Sequence, residues 1–447
     1  MTWSSGRTNF ICCFAIAIAV VSGCAKSRKL STRLMPTPLA LSLGLVHPGG
    51  DFADSCQCGD EDVPIFIVSG RNVEDVNDSI DPFGGKRTHA PTLGVAYVSV
   101  GEGLSAAELL AETTTDKKRK QAKVTFKRFE LSQTPHSAQL SGSGNGVARF
   151  HDNAWVQAVQ NQMSHSGSQT VTIFVHGYNT NFIDNTLIAA ELHHYMDRKG
   201  AMMSFEWPSA GKLLGYIKDK SNASNSTRQF RLLISNIAKE CNVDSITIIA
   251  HSAGAPIVVN ALQEIRLQES DATPQQLREE YRIGRIVLAA PDMDVSAFTN
   301  AIQDRFYELT TGIAVYGSPK DKALEVSERL NGYSRLGHAM GELDEWELAT
   351  YRRVPQIEMI DASIAEKQFG SFVGHGYFHR DPWVSSDIGS FLLGRSPAQR
   401  GLVKHPNEPV FWQFAPDYPA RLTQLLGSRP ISQLPVERVN FNYLNSH

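Results

Sequence analysis

The chain has 447 residues, of which 42% are hydrophobic and 20% charged, with 43 Lys plus Arg against 46 Asp plus Glu and a formal net charge of -3. This is globular composition with enough apolar material for a large core. Without a basic excess nothing argues for a nucleic-acid partner, and short charge clusters such as residues 116–120 read as solvated faces.

Arg7 is the only charge before an apolar run over residues 10–21. A run of about a dozen residues is too short to cross ~30 Å of hydrocarbon as a helix. It ends in Val21-Ser22-Gly23-Cys24, and the basic stretch Ala25-Lys26-Ser27-Arg28-Lys29 follows. A positive start, a short apolar stretch and small residues at its end make a secretory signal. The tetrad resembles the bacterial lipobox, with Val21 where Leu is usual. The resemblance implies that residues 1–23 are a signal peptide and that Cys24 becomes a lipidated N-terminus. Ala25 stands where an Asp would favour inner-membrane retention, so the expected location is the cell envelope, lipid-anchored at the periplasmic face of the outer membrane. An uncleaved anchor is the alternative, and on either reading the body lies outside the cytoplasm.

Of six cysteines, Cys12 and Cys13 leave with the signal and Cys24 takes lipid, so Cys56, Cys58 and Cys241 remain. An odd count leaves at least one free thiol unless pairing is intermolecular. Cys56 and Cys58 are too close in sequence to bridge each other well, and the acidic residues around them lack metal-site spacing. No metal and no cofactor are expected.

Residues 24–62 read as a linker, with Pro, Gly and Ser scattered through it. Apolar runs predict strands at residues 65–68 and 93–100, and alternation predicts one at 124–131. The Gly/Ser stretch at 141–146 reads as a loop, and residues 154–163 as a helix. Alternation then becomes regular. Strands are expected at 171–175, 202–207, 245–250, 285–290, 313–316 and, as the last, 357–360. Helices are expected at 187–199, 226–241 and 255–268. Alternating elements with near-continuous apolar strands imply a mostly parallel central sheet with helices on both faces, an α/β fold. Residues 395–447 read as a C-terminal extension packed on the core.

The sharpest motif is Ile248-Ile249-Ala250-His251-Ser252-Ala253-Gly254, a buried strand running into a tight turn and a helix. The nucleophile elbow Gly-x-Ser-x-Gly has this form, and here Ala250 takes the first small position. Small residues are needed because the turn brings helix and strand together. A serine hydroxyl at neutral pH needs a base to take its proton and N–H donors for the developing oxyanion. In this fold the order is Ser, acid, His. Val175-His176-Gly177-Tyr178 ends a strand where one oxyanion donor belongs, at Gly177 or Tyr178, and Ala253 supplies another. Asp321 follows the strand at 313–316, where the ligand crevice opens. His375 lies in a Gly-flanked loop after the strand at 357–360. Asp292 is a rival acid and His379 a rival base. His176 and His251 read as braces for loops, Phe205 and Trp207 as core, and the adjacent His193 and His194 do not share a helix face.

Together these stretches resemble the α/β-hydrolases of the DUF900 group, which are esterase/lipase-like. They include Val175-His176-Gly177-Tyr178-Asn179, Phe205-Glu206-Trp207-Pro208, Ala250-His251-Ser252-Ala253-Gly254, Leu288-Ala289-Ala290-Pro291-Asp292 and Gly374-His375-Gly376-Tyr377-Phe378, in that order. The opening Val63-Pro64-Ile65-Phe66 with Arg71-Asn72 also matches. The resemblance covers roughly residues 63–394 and implies a Ser252, Asp321, His375 triad. Ala253 departs from the group's usual Met. The group's substrates are poorly defined; the ordered triad candidates and the tether point to cleavage of an acyl ester, a small ester or a lipid near the envelope, with amide cleavage a variant. The competing reading is an inactive envelope protein that keeps the fold as a binding or scaffolding module. Oligomeric state is not legible.

Overall fold

The structure is a computed structural model. It describes residues 29–45, 62–115, 122–133, 152–209, 216–340, 343–364, 374–406 and 408–427. Cys24, Cys56, Cys58, the signal segment and the loop at 141–146 lie outside the described residues.

Twelve strands are described: β1 (Ser31–Arg33), β2 (Val63–Val73), β3 (Phe83–Val100), β4 (Lys123–Gln133), β5 (Thr170–Val175), β6 (Ala201–Glu206), β7 (Ser245–His251), β8 (Ile283–Ala289), β9 (Gly312–Gly317), β10 (Ile357–Asp361), β11 (Val403–Lys404) and β12 (Phe411–Gln413). They form one sheet in the order β1-β4-β3-β2-β6-β5-β7-β8-β9-β10-β12-β11. From β2 to β12 every neighbouring pair is parallel. The β1, β4, β3 edge is antiparallel, as is the closing pair β11 and β12.

The apolar strands explain the layering. Successive residues point to opposite faces, so Ile173 and Val175 join one core while Phe174 joins the other. Ile248 and Ala250 fall with the first, and Ile249 with the second. Helices Tyr216–Glu240 and Ala255–Gln268 cover the first face with Leu233, Ile237, Val258 and Leu262. Helices Phe182–Tyr195 and Pro382–Leu392 cover the second with Phe182, Leu187, Val384 and Phe391. A strand buried on both sides must be apolar at every position, which is why these runs do not alternate.

Three expectations are corrected. The described part of the linker is not free chain. β1 pairs with β4, helix Leu39–Ser42 follows, and Leu34, Met35, Leu41 and Leu45 are buried. With Ala40 these make five buried apolar side chains, so the segment gains more by packing than by solvation. β10 is not the last strand, because β12 adds in parallel beside it. The helix expected over 187–199 runs Phe182–Tyr195. Asn181 caps its start by accepting from the Asp184 N–H at 2.8 Å. Asp197 and Arg198 end it in the left-handed region, at φ 61° and 50°. Among the described residues no helix is long and apolar enough to cross a membrane.

Candidate active site

β7 delivers Ser252 to the carboxyl edge of the sheet, where its φ is 52°. A non-glycine residue held there is strained, and the strain belongs to a turn that must reverse within the three residues Ser252–Gly254 before helix Ala255–Gln268 begins. Gly254 permits the turn, because a Cβ there would sit 2.6 Å from the His176 carbonyl oxygen and 2.7 Å from that of Val175. At Gly177 a Cβ would meet Ser252 Cβ at 2.8 Å and His251 Nδ1 at 2.9 Å. The loop after β5 and the turn after β7 are thus locked together by two glycines.

Three side chains from three strand ends meet here. Ser252 Oγ lies 2.8 Å from His375 Nε2, and His375 Nδ1 lies 2.8 Å from Asp321 Oδ2. A carboxylate only accepts, so Nδ1 carries the proton and Nε2 accepts from the serine hydroxyl. Asp321 is fully buried and also caps helix Lys322–Asn331, its Oδ1 accepting from the Ala323 and Leu324 N–H groups at 3.0 and 3.2 Å. Burial is the largest influence on His375 and disfavours its charged form. The Asp321 charge and hydrogen bond, joined by the charge of Asp292, outweigh it and hold the pKa above the ordinary histidine value.

The rivals lie close by but are engaged otherwise, and the Asp292 N–H itself donates to the Ser252 carbonyl at 3.2 Å. Asp292 accepts from Ser327 Oγ at 2.6 Å and pairs with Arg335 at 3.4 Å. The buried His379 packs on Phe378, and burial followed by the charge of Arg380 pushes its pKa down to about 3. His251 donates from Nε2 to the backbone carbonyl of His375 at 2.9 Å. Burial first, then the charge of His375, keeps it well below the usual histidine range. A neutral His251 therefore straps the loop that carries His375.

A second buried cluster lies beneath the Gly177 loop. Arg71 donates to the carbonyls of Ser209 and Thr180, both at 2.9 Å, and pairs with Glu206 at 3.6 Å. Glu206 accepts from Asn185 Nδ2 and Ser204 Oγ. His176 donates from Nδ1 to the Gly177 carbonyl at 2.8 Å, stacks on Trp207 and faces Glu206 at 3.6 Å. Burial pushes Glu206 up to about 7 despite Arg71, and burial with the Arg71 charge pushes His176 down to about 3. Sequence reasoning missed Arg71, Asn185 and Glu206 as supports of the site. The available signal was a charged residue closing an otherwise buried strand, in Phe205-Glu206-Trp207.

Tyr178 and Ala253 both line a cavity of about 210 Å³, with Pro256, Ile257, Met293 and Asn260 among its other walls. The N–H of Ala253 lies in the first turn of a helical run, where backbone donors have no intrahelical acceptor. The arrangement can polarise a serine hydroxyl, take its proton and offer N–H groups to an anion beside an adjoining cavity. Cys241 is a buried free thiol whose pKa burial pushes up to about 12, remote from this chemistry.

A family model described as an alpha/beta hydrolase of unknown function (DUF900) matches residues 151–394. The uncharacterized protein alr1448 of Nostoc sp. is 28% identical over 157 residues, covering 31% of this chain and 38% of that relative. The chain thus spans well under half of that relative's length. Among solved structures, esterase B from Lactobacillus rhamnosis is similar at 14% identity, covering 50% of this chain and 73% of that one with a TM-score of 0.27. A lipase-esterase related protein from Clostridium acetobutylicum is similar at 16% identity, covering 44% and 75% with a TM-score of 0.20.

Proposed function

The chain belongs to the DUF900 family of α/β-hydrolases, whose function is unknown, and from that premise we propose that it is a serine hydrolase cleaving an acyl ester. The observation that carries this reading is the unbroken hydrogen-bonded chain from Asp321 through His375 to a strained Ser252. In the first step Ser252 Oγ attacks the ester carbonyl carbon while its proton passes to His375 Nε2. The tetrahedral oxyanion is met by the N–H of Ala253 and by an N–H of the Gly177-Tyr178 turn. Collapse breaks the bond to the alcohol, which leaves with the proton from His375. Water then attacks the acyl-serine, losing a proton to His375, and the carboxylic acid departs as Ser252 recovers its proton. Asp321 keeps the imidazole in the working tautomer and stabilises its charged form.

The full-length protein should react with a fluorophosphonate probe and turn over p-nitrophenyl butyrate. Ser252→Ala should lose labelling and about 10⁴-fold or more of kcat/KM, and His375→Ala should behave alike. Equal turnover in Ser252→Ala would overturn the proposal.

We also propose that Cys24 is acylated and tethers the enzyme to the envelope, from the Val21-Ser22-Gly23-Cys24 tetrad behind a short apolar run. Metabolic labelling with a palmitate analogue should mark the wild type and spare Cys24→Ser. Equal labelling of both sinks the tether.

A further inference from the structure

On the sheet face away from the cavity beside Ser252 lies a second, larger one of about 530 Å³, a size suited to a small ligand. Its walls come from the N-terminal segment, from the starts of β5 and β7, and from helices Phe182–Tyr195 and Pro382–Leu392. Leu41, Leu192, Met196, Ile249, Ile388 and Leu392 make them chiefly apolar. One end is closed by Phe378, whose ring packs against His251 at 4.7 Å. Away from Phe378 the lining holds Arg395, Lys199, Asp197 and Leu393, two cations to one acid. Helix Pro382–Leu392, 11 residues long, runs between these ends and spans about 16 Å.

Two observations mark this space as built. Gly389 sits inside that helix and lines the cavity, and a Cβ there would meet nothing within 4 Å. A helix-interior glycine costs about 1 kcal/mol against alanine, so packing does not account for it, whereas an open cavity does. The Arg395 guanidinium is partly buried and has no carboxylate at ion-pair distance among the described residues. Burial alone pulls its pKa below the ordinary arginine range. Leu393 and Leu425 are exposed, as is Leu43 at the end of the short helix packed on helix Pro382–Leu392.

We propose that this cavity binds the chain of a long-chain carboxylate, with its carboxylate at Arg395 and its tail directed toward Phe378. The class follows from the walls: a chiefly apolar cavity lined along helix Pro382–Leu392 takes an alkyl chain, and Arg395, which pairs with no carboxylate among the described residues, takes a single anion. The site is distinct from the cavity that Tyr178 and Ala253 line on the opposite face of the sheet.

Calorimetric titration of the full-length protein with dodecanoate tests this. Saturable binding is expected, weaker for decanoate by about fourfold per methylene removed. Dodecyltrimethylammonium, with the same tail and the opposite charge, should bind at least tenfold more weakly. Arg395→Gln should abolish that discrimination, and Gly389→Phe should fill the channel and remove binding. Gly389→Phe should keep the wild-type melting temperature or raise it, and should keep ester turnover; Gly389→Leu should give a graded loss. Ser252→Ala should bind dodecanoate as the wild type does. Absent binding in the wild type, binding that survives Gly389→Phe, or loss in Ser252→Ala, which would place the ligand at the serine, would each overturn the proposal.

Discussion

Asp321 holds two positions at once. Oδ2 accepts a hydrogen bond from His375 Nδ1–H at 2.8 Å while Oδ1 caps the helix that follows. Asn caps helices about as well as Asp but cannot hold a neighbouring imidazole as an anion does, so Asp321→Asn separates the roles. We predict an approximately 10⁴-fold fall in kcat/KM with little change in melting temperature. Asp321→Ala should add a loss of about 1 kcal/mol from the missing cap. The pH profile carries a second sign. The base works only when neutral, so wild-type kcat/KM should rise with pH through an inflection above the ordinary histidine value, because His375 is shifted up. In Asp321→Asn burial is no longer outweighed by that charge, and the inflection should move lower. Initial rates on p-nitrophenyl butyrate from pH 5 to 9 read both effects. The choice of Asp321 over Asp292 was not legible, since both follow a strand. It depends on Ser327 and Arg335, which engage Asp292 from elements distant in sequence.

Among the elements, the helix Ala255–Gln268 falls on its expected bounds. Its limits are local: a turn of small residues before it, and an unbroken 3.6-residue apolar period within it. The C-terminal elements were less readable, because β11 and β12 are short and become strands by pairing beside β10. A buried ionic cluster ties them down. Arg400, with no exposed surface, donates to Glu358 at 2.5 Å and lies 3.4 Å from Asp387, which also accepts from Tyr316 Oη at 2.6 Å. Burial raises Asp387, and Arg400 with the Tyr316 hydrogen bond opposes it. Arg400→Met would leave Asp387 buried without its cation, so we predict a loss of about 3–5 kcal/mol in urea unfolding at neutral pH. A smaller loss at pH 5 is expected, where the raised carboxyl can bind a proton instead. A variant as stable as the wild type at both values would show that the cluster does not anchor these elements.

At the scale of the whole molecule, the sequence by itself determined the α/β layering, the parallel strands and the elbow at Ser252, because each is written in short-range periodicity and residue size. It also offered Asp321 and His375 as candidates from their places after strands. What only the tertiary structure decided was which candidates meet: His375 lies 123 residues from Ser252 and 54 from Asp321, and their contact depends on strand order rather than on any local pattern. The same holds for residues 31–45, whose scattered Pro, Gly and Ser read as linker until the sheet edge at β4 is there to receive the segment. It holds also for the channel at Gly389, since a cavity is the space left by elements remote in sequence, and no single segment encodes it.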